Sequence, residues 1–139
     1  SHYLFSKVLA LQSIEEAYHM FEVKTSYYWK DHFRLDQLSK KKSEKKLGRS
    51  TIQLMLINTI IPFIFLYGKT MDMMEYTERA LQLLAQVPAE DNHLIRTWQE
   101  RGIKAKSAGQ SQGLIQLYKH YCQHKKCLDC AIGAAILKD

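Results

Sequence analysis

The three cysteines of this chain are its most conspicuous candidates for chemistry, because they fall close together. Cys122, Cys127 and Cys130 have the spacing C-x4-C-x2-C, and His120 and His124 lie beside the first of them. Thiolate and imidazole groups are the ligands that zinc prefers, and thiolates also hold iron–sulfur clusters. The spacing therefore predicts a metal site with three cysteine ligands, for which one of the two histidines is a candidate fourth ligand.

Two alternative roles for the cysteines stay open. Free cysteine is among the most buried residue types, so the three thiols could simply pack at a corner between helices. Cys127 and Cys130 also form a C-x2-C pair, which oxidises readily when it is exposed. A plant-type ferredoxin cluster needs a fourth cysteine, which the chain lacks. The candidate cofactors are therefore zinc, an iron–sulfur cluster with one open iron, or none.

The odd number of cysteines also bears on the compartment. Three cysteines cannot all pair within one chain, and these three lie next to Lys125 and Lys126. This pattern favours thiols that are kept reduced, so it predicts a cytoplasmic protein.

Positive charge is the second candidate for chemistry. The chain has 20 Lys and Arg against 14 Asp and Glu, and the excess is concentrated in a predicted basic loop, residues 38–50. The cations of this loop are Lys40, Lys41, Lys42, Lys45, Lys46 and Arg49. Such a run can neutralise phosphates, which predicts an accessory nucleic-acid-binding domain with DNA or RNA as partner. The simpler alternative is a solvated loop without a ligand.

A third group of polar and aromatic residues could form a pocket. Its members are Trp29, His32, Asn58, Glu90, Asn92, Gln112 and Gln116. Packing of a hydrogen-bonded histidine, helix caps and hydrogen bonds between helices would account for the same residues. The chain contains no H-E-x-x-H, Walker, dinucleotide-glycine or G-x-S-x-G motif, so no enzymatic activity is predicted.

Composition predicts the fold class that must position these residues. A chain of 139 residues is about one domain, predicted here to span residues 1–139. Two prolines and six glycines are too few turn-forming residues for a sandwich or barrel of many short strands. No segment alternates with period two, so no β-strand is predicted. We therefore expect an all-α protein, an irregular bundle of about six to seven helices around a kinked central apolar helix.

The central helix is predicted over Thr51–Tyr67, which is apolar almost all round and contains Pro62. A proline inside a helix cannot donate to the carbonyl four residues earlier, here that of Asn58, and this predicts the kink. A membrane-spanning helix needs about 20 apolar residues, so this shorter, interrupted segment predicts no membrane partner.

Local signals predict where several of the remaining helices begin and end. Ser13 and Glu16 have the spacing of a capping box, which predicts a helix from there to about Val23. Glu90 or Asp91 is predicted to start a later helix that Gly102 ends. Ser107 is predicted to cap a helix that runs to about Tyr121, and an apolar terminal helix is predicted over Leu128–Leu137.

Several stretches together resemble the C-terminal part of an uncharacterised bacterial family, the domain of unknown function numbered 2851. They are Tyr28-Trp29 with His32-Phe33, Asn58 and Pro62 with Tyr67-Gly68, Pro88-Ala89-Glu90 with Asn92, Ser111-Gln112 with Leu114 to Leu117, and Tyr121-Cys122 with Cys127, Leu128, Cys130 and Ile132-Gly133. The resemblance covers nearly the whole chain, and the cysteine segment is its most specific part. It offers no catalytic residues.

The resemblance implies that the chain is the C-terminal domain of a longer protein, whose N-terminal domain would be a partner. The N-terminal portion of the family carries acidic and histidine motifs similar to those of nuclease-like folds, which agrees with nucleic-acid binding by analogy of fold alone. The alternatives are a structural or protein-interaction domain that covers the N-terminal partner domain, and a redox or iron–sulfur protein.

Overall fold

The computed structural model describes residues 2–40, 42 and 44–136. In this part of the chain there are eight α-helical segments, two of which are joined by a π turn into one long helix, and one short β-hairpin, which confirms the predicted all-α class. The chain divides into two compact units, and the boundary lies between Leu83 and Leu84. We call residues up to Leu83 unit 1 and residues from Leu84 onward unit 2.

Unit 1 begins with two short helices, α1 over His2–Ala10 and α2 over Ile14–Phe21. Ser13 caps α2, because its Oγ accepts a hydrogen bond of 3.2 Å from the backbone N–H of Glu16. The Glu16 carboxylate accepts from the backbone N–H of Gln12 at 2.9 Å, so the reciprocal half of the predicted capping box is displaced by one residue.

A 3₁₀ turn over Tyr27–Lys30 leads into an antiparallel hairpin of strands β1, His32–Arg34, and β2, Gln37–Leu38. The prediction of no strand is therefore wrong for this segment. Strands of three and two residues are too short to show an alternating pattern. The turn depends on Asp36, whose φ is 56° and whose N–H donates to the Tyr28 hydroxyl at 2.8 Å.

The predicted central helix extends over Arg49–Thr70 and is longer than expected at both ends. It consists of α3, Arg49–Met55, a π turn, Leu56–Ile60, and α4, Ile61–Thr70. The π turn directly precedes Pro62, so the predicted irregularity is present as a change of helical hydrogen bonding. The buried face of this helix is formed by Ile52, Leu56, Ile57, Ile60, Ile61 and Ile64.

The long helix also bears on the membrane prediction. Its 22 residues and a mean hydropathy of 1.6 meet the requirements of length and composition for crossing a membrane. The predicted segment was too short to cross a membrane but the helix is not, so the absence of a membrane partner stays a prediction. In the most apolar window of the helix 39% of the residues are buried within the protein, and a core helix of a globular protein meets the same two requirements.

Helix α5, Met74–Gln86, follows α4 after a tight turn that brings the two helices very close. The N–H of Met73 donates to the carbonyl of the buried Gly68 at 2.8 Å. A Cβ at Gly68 would lie 2.9 Å from Met73 O, Thr77 N and Thr77 Cγ2. Only glycine fits this contact without a shift of α5.

Unit 2 contains α6 over His93–Glu100, α7 over Ala108–Leu117 and α8 over Ala131–Ile136. Asn92 caps α6 by accepting from the N–H of Ile95 at 3.0 Å, so the predicted cap at Glu90 or Asp91 is wrong by one or two residues. The cap of α7 is Ser107, as predicted.

The ends of the later helices follow their local signals. Gly102 comes after α6 with a φ of +85°, the left-handed conformation that glycine adopts easily. Helix α7 continues as a π turn over Tyr118–Cys122. The terminal helix begins at Ala131, three residues later than predicted, and the last residue predicted for it, Leu137, lies outside the described residues.

Candidate nucleic-acid interface

His32 lies at the start of the hairpin and is held by the aromatic turn before it. Its Nδ1 is 2.9 Å from the carbonyl oxygen of Tyr28 and 3.0 Å from Asp31 Oδ1. A carbonyl and an ionised carboxylate only accept, so Nδ1 carries the hydrogen. The imidazole ring stacks on Tyr28 with a centroid distance of 4.1 Å. His32 thus occupies a hydrogen-bonded packing position, and its role in a pocket stays a prediction.

Trp29, the second pocket candidate of this turn, packs against the same tyrosine. The rings of Tyr28 and Trp29 meet edge to face, with centroids 5.1 Å apart. Tyr28 therefore has aromatic neighbours in both His32 and Trp29, and this contact orders the turn that precedes the basic loop.

Asp31 joins this aromatic turn to the basic loop. Its Oδ2 is 3.7 Å from Lys42 Nζ. Burial raises the pKa of Asp31, but the hydrogen bond from His32 and the charges of His32 and Lys42 lower it, and the net shift is downward. The carboxylate is therefore ionised at neutral pH and attracts Lys42 towards the hairpin.

The basic loop, predicted over residues 38–50, lies between β2 and α3, which begins at Arg49, and it contacts the rest of unit 1 at two further points. Lys45 Nζ donates to the carbonyl of His32, and the Arg49 guanidinium lies 5.0 Å from the ring centroid of Tyr18. Lys40 and Lys46 are exposed. Lys41, also predicted to bind nucleic acid, lies outside the described residues.

Two aromatic side chains next to these cations are strongly exposed. Tyr27 and Phe33 are each 77% exposed. Lys30 Nζ lies 5.6 Å from the ring centroid of Tyr27, and Lys45 Nζ lies 5.2 Å from that of Phe33. We call the residues Tyr27, Lys30, Phe33, Lys42 and Lys45 the basic-aromatic face. Neither Tyr27 nor Phe33 was predicted as a site residue, because the exposure of a ring in a 3₁₀ turn or a short hairpin has no periodic signal in the sequence.

An open depression of about 410 Å³ lies on this face. Its lining residues are Tyr27, Lys30, Asp31, Lys42 and Glu44. The depression therefore presents an aromatic ring, two ammonium groups and the Glu44 carboxylate to solvent, with Asp31 already bound to Lys42 and His32. Its chemistry suits a planar group that carries a nearby negative charge.

The cysteine segment does not form a donor set for a metal. Cys122 and Cys127 are exposed, Cys130 is buried, and all three are free thiols. In the part of the chain that the structure describes, no three His, Cys, Asp or Glu side chains are gathered so that they could hold a metal ion. Zinc and an iron–sulfur cluster gain no support from this arrangement and stay predictions from the sequence.

The two histidines predicted as ligands are both exposed. His120 lies within the π turn Tyr118–Cys122, and His124 lies in the turn that follows it. The chain then reverses at Lys125, whose φ is 54°. No described geometry adds either imidazole to the thiols as a fourth ligand.

The burial of Cys130 depends on a close backbone contact. Cys130 N–H donates to the carbonyl of Cys127 at 3.3 Å, and Ala134 N–H donates to the carbonyl of Cys130 at 2.7 Å. A Cβ at Gly133 would overlap the Cys127 carbonyl oxygen and lie 2.9 Å from its carbon. Gly133 therefore allows α8 to pack against the turn that holds Cys130.

This difference in exposure predicts the reactivity of the thiols. In the native protein we expect two thiols to react rapidly with an aromatic disulfide reagent, and the third, Cys130, to react slowly. Denatured protein should show three rapid equivalents. Three equal rates in the native state would contradict the burial of Cys130. Fewer than three thiols without added reductant would favour the redox alternative for Cys127 and Cys130.

In unit 2 two of the predicted pocket residues, Glu90 and Gln112, lie close together, and they are hydrogen-bonded to each other. Gln112 Nε2 donates to Glu90 Oε2 at 2.5 Å, and the Glu90 N–H donates to the buried Ser111 Oγ at 3.3 Å. Ser111 Oγ in turn lies 3.0 Å from the carbonyl of Ala108, to which it donates. These bonds tie the segment before α6 to α7, as expected of hydrogen bonds between helices.

The remaining predicted pocket residues, Asn92, Gln116 and Asn58, have separate local roles or are exposed. Asn92 caps α6, and Gln116 is exposed. Asn58 is exposed on the long helix, where its Nδ2 donates to the Leu54 carbonyl at 3.0 Å. Its amide therefore binds a carbonyl of the preceding turn.

One ion pair in unit 2 shifts the pKa values of both of its side chains. Arg96 binds Asp91 through two hydrogen bonds of 2.6 and 2.8 Å. The hydrogen bond from Arg96 holds the pKa of Asp91 below its ordinary value, and the same bond raises the pKa of Arg96. Both side chains are largely exposed, so the pair stabilises the fold only slightly.

The fold and these surfaces define an all-α protein with a basic-aromatic face in unit 1 and a free-thiol segment in unit 2. The chain belongs to the family described as Protein of unknown function (DUF2851), whose family model matches residues 1–93. The cysteine segment, the most specific part of the resemblance, lies beyond the matched residues. Neither a curated protein nor a solved structure matches the chain.

Proposed function

We propose that this chain binds single-stranded nucleic acid through the basic-aromatic face. The observation that carries the proposal is the pairing of two rings, each 77% exposed, with a lysine ammonium within 5.6 Å of each ring centroid. Proteins that bind single strands combine cations, which contact phosphates, with aromatic side chains, on which successive bases stack.

Contacts between the loop and the hairpin support the proposal over a freely solvated loop. Lys42 approaches Asp31, and Lys45 binds the His32 carbonyl, so both ammonium groups lie beside the aromatic turn. A ligand that contacts Phe33 would therefore meet Lys45 at the same time. Stacking of one base contributes about 1–3 kcal/mol, and each phosphate contact adds to the salt dependence of binding.

A single strand fits this face better than a duplex. The rings of Tyr27 and Phe33 are exposed on a 3₁₀ turn and a short hairpin, and they can stack only on bases that have left their own stack. We therefore expect unpaired DNA or RNA to bind more tightly than a duplex of the same length.

The proposal is tested by fluorescence anisotropy with labelled single strands of DNA and RNA and a matching duplex, over a series of salt concentrations. Phe33→Ala should weaken single-strand binding roughly tenfold, because it removes one stacking surface. Lys42→Gln and Lys45→Gln should each reduce the slope of log affinity against log salt by about 0.7 if that lysine contacts a phosphate.

Matched controls are available for both kinds of variant. Tyr3 is 81% exposed on α1, outside the face, so Tyr3→Ala removes an equally exposed ring. Lys104→Gln removes one exposed charge from unit 2. Absence of salt-sensitive affinity for every probe would overturn the proposal, as would equal losses from Phe33→Ala and Tyr3→Ala.

A protein-interaction role is the second candidate, and it is supported by an apolar groove in unit 1. The groove has a volume of about 430 Å³ and is lined by Leu4, Phe5, Val8, Phe21, Met55, Thr59, Ile60 and Phe63. Leu4 and Phe5 are 52% and 50% exposed. If the chain covers the N-terminal domain of a longer protein, Phe5→Asp should abolish their co-purification, whereas Lys42→Gln should leave it unchanged.

A further inference from the structure

Beside the basic loop, unit 1 contains a smaller cavity between α2 and the start of the long helix. Its volume is about 210 Å³, and its lining includes Glu15, Tyr18, Glu22, Lys46, Arg49 and Ile52. Pockets for drug-sized ligands measure about 300–1,000 Å³, so this cavity suits a smaller group. A single nucleobase is a group of that kind.

Two of the residues that line the cavity, Tyr18 and Arg49, carry planar groups. The Gln53 Nε2 donates to the Tyr18 hydroxyl at 2.8 Å, which fixes the position of the Tyr18 ring. The Arg49 guanidinium lies 5.0 Å from the centroid of this ring, and the buried Ile52 is part of the lining. Unpaired bases stack on aromatic rings and on guanidinium planes alike.

The charged groups of the cavity have opposite signs. Lys46 comes from the basic loop, Arg49 begins α3, and both can contact a phosphate, whereas Glu15 and Glu22 come from α2 and its C-terminal cap. Glu22 Oε2 lies 3.9 Å from His19 Nδ1. Glu15 makes no ion pair in the part of the chain that the structure describes, so its two oxygens are available to accept hydrogen bonds from a ligand.

A carboxylate beside a stacking surface distinguishes the bases by their donors. The Watson–Crick edge of guanine presents two adjacent donors, N1–H and the N2 amine, which match the two oxygens of one carboxylate. Adenine and cytosine each present a single amine on that edge, and the uracil and thymine edges present one N–H between two acceptors. Guanine is therefore the base that a free glutamate in this cavity would select.

We propose that this cavity binds an unpaired guanine of a single-stranded nucleic acid, with Glu15 accepting from N1–H and the N2 amine. The base stacks on the Arg49 and Tyr18 planes, and Lys46 contacts a neighbouring phosphate. The inference rests on the proposed single-strand binding and adds a base preference to it.

The test uses three single strands of thymidines that differ only at the central position, which is guanine, inosine or thymine. Inosine keeps N1–H and lacks the N2 amine, so it removes one of the two proposed hydrogen bonds. We expect the guanine strand to bind roughly tenfold more tightly than the thymine strand, with inosine between them, the discrimination typical of one bidentate contact. This comparison needs no variant and so does not depend on the folding of one.

Glu15→Gln should bring the three affinities close together, whereas Glu78→Gln, which removes an exposed carboxylate from α5, should leave the preference for guanine unchanged. Phe33→Ala should weaken all three strands by the same factor. Equal affinity of the wild-type protein for the three strands would overturn the guanine site and leave single-strand binding intact. Absence of salt-sensitive binding to all three would overturn both proposals.

Discussion

Gly68→Ala is expected to destabilise the protein by about 2 kcal/mol, the typical cost of forcing one extra carbon into a packed contact. The new Cβ would lie 2.9 Å from Met73 O and Thr77 N, which are backbone atoms and cannot turn away. The gain of about 1 kcal/mol in helix propensity from Gly to Ala does not remove this overlap. Thermal unfolding followed by circular dichroism should show a Tm lower by roughly 8 °C.

Gly113→Ala is the matched control for this prediction. Gly113 lies within α7, and a Cβ there would meet no atom within 4 Å. This variant should gain up to about 1 kcal/mol of stability from helix propensity alone. A Gly68→Ala protein as stable as the wild type would show that α4 and α5 are not as close as the structure places them.

Gly133→Ala is expected to expose Cys130. Its Cβ would overlap the carbonyl of Cys127, so α8 must move away from the turn that it covers. Overpacking costs about 1–3 kcal/mol, which raises the population of opened forms and should speed the reaction of Cys130 roughly tenfold. The measurement is the rate of the slow thiol in the native protein.

The control again is Gly113→Ala, which leaves the cysteine turn unchanged and should keep one slow thiol. A fast third thiol in both variants would point to a general loosening of unit 2. A slow third thiol in Gly133→Ala would contradict the close contact between Gly133 and Cys127. Either result would also bear on the redox alternative, because a buried Cys130 reacts with Cys127 only after the turn has opened.

The nucleic-acid proposal and the cysteine segment are independent of each other. The basic-aromatic face lies in unit 1, within the residues that the family model matches, whereas the cysteines lie in unit 2 and beyond the match. The proposed nucleic-acid binding therefore needs no metal at the cysteines, and a negative metal analysis would not contradict the proposal.

The helices and most of their ends could be predicted from the sequence, because they depend on neighbouring residues. Ser13 and Ser107 cap helices where their hydroxyls reach an N–H three residues later, and Gly102 ends α6 because it adopts a positive φ. Pro62 marked an interruption of the long helix for the same local reason. The form of that interruption, a π turn, depends on how the helix packs and was not predicted.

The candidate sites were decided by contacts between residues far apart in the sequence. Lys45 reaches His32 across 13 positions, and Glu90 reaches Gln112 across 22. The spacing of Cys122, Cys127 and Cys130 predicted a metal site, whereas their exposure depends on the packing of this segment, in which the first two thiols are exposed and the third is buried.

The sequence by itself thus determined the helical class, several caps and the positive charge, since propensity, capping and charge belong to single residues and short segments. Only the tertiary structure decided which cations lie beside exposed rings, which thiol is buried and which carboxylates line a cavity, as for Lys45, Cys130 and Glu15. The physical reason is that burial and pairing depend on how distant segments pack, and this packing has no period or motif in the sequence.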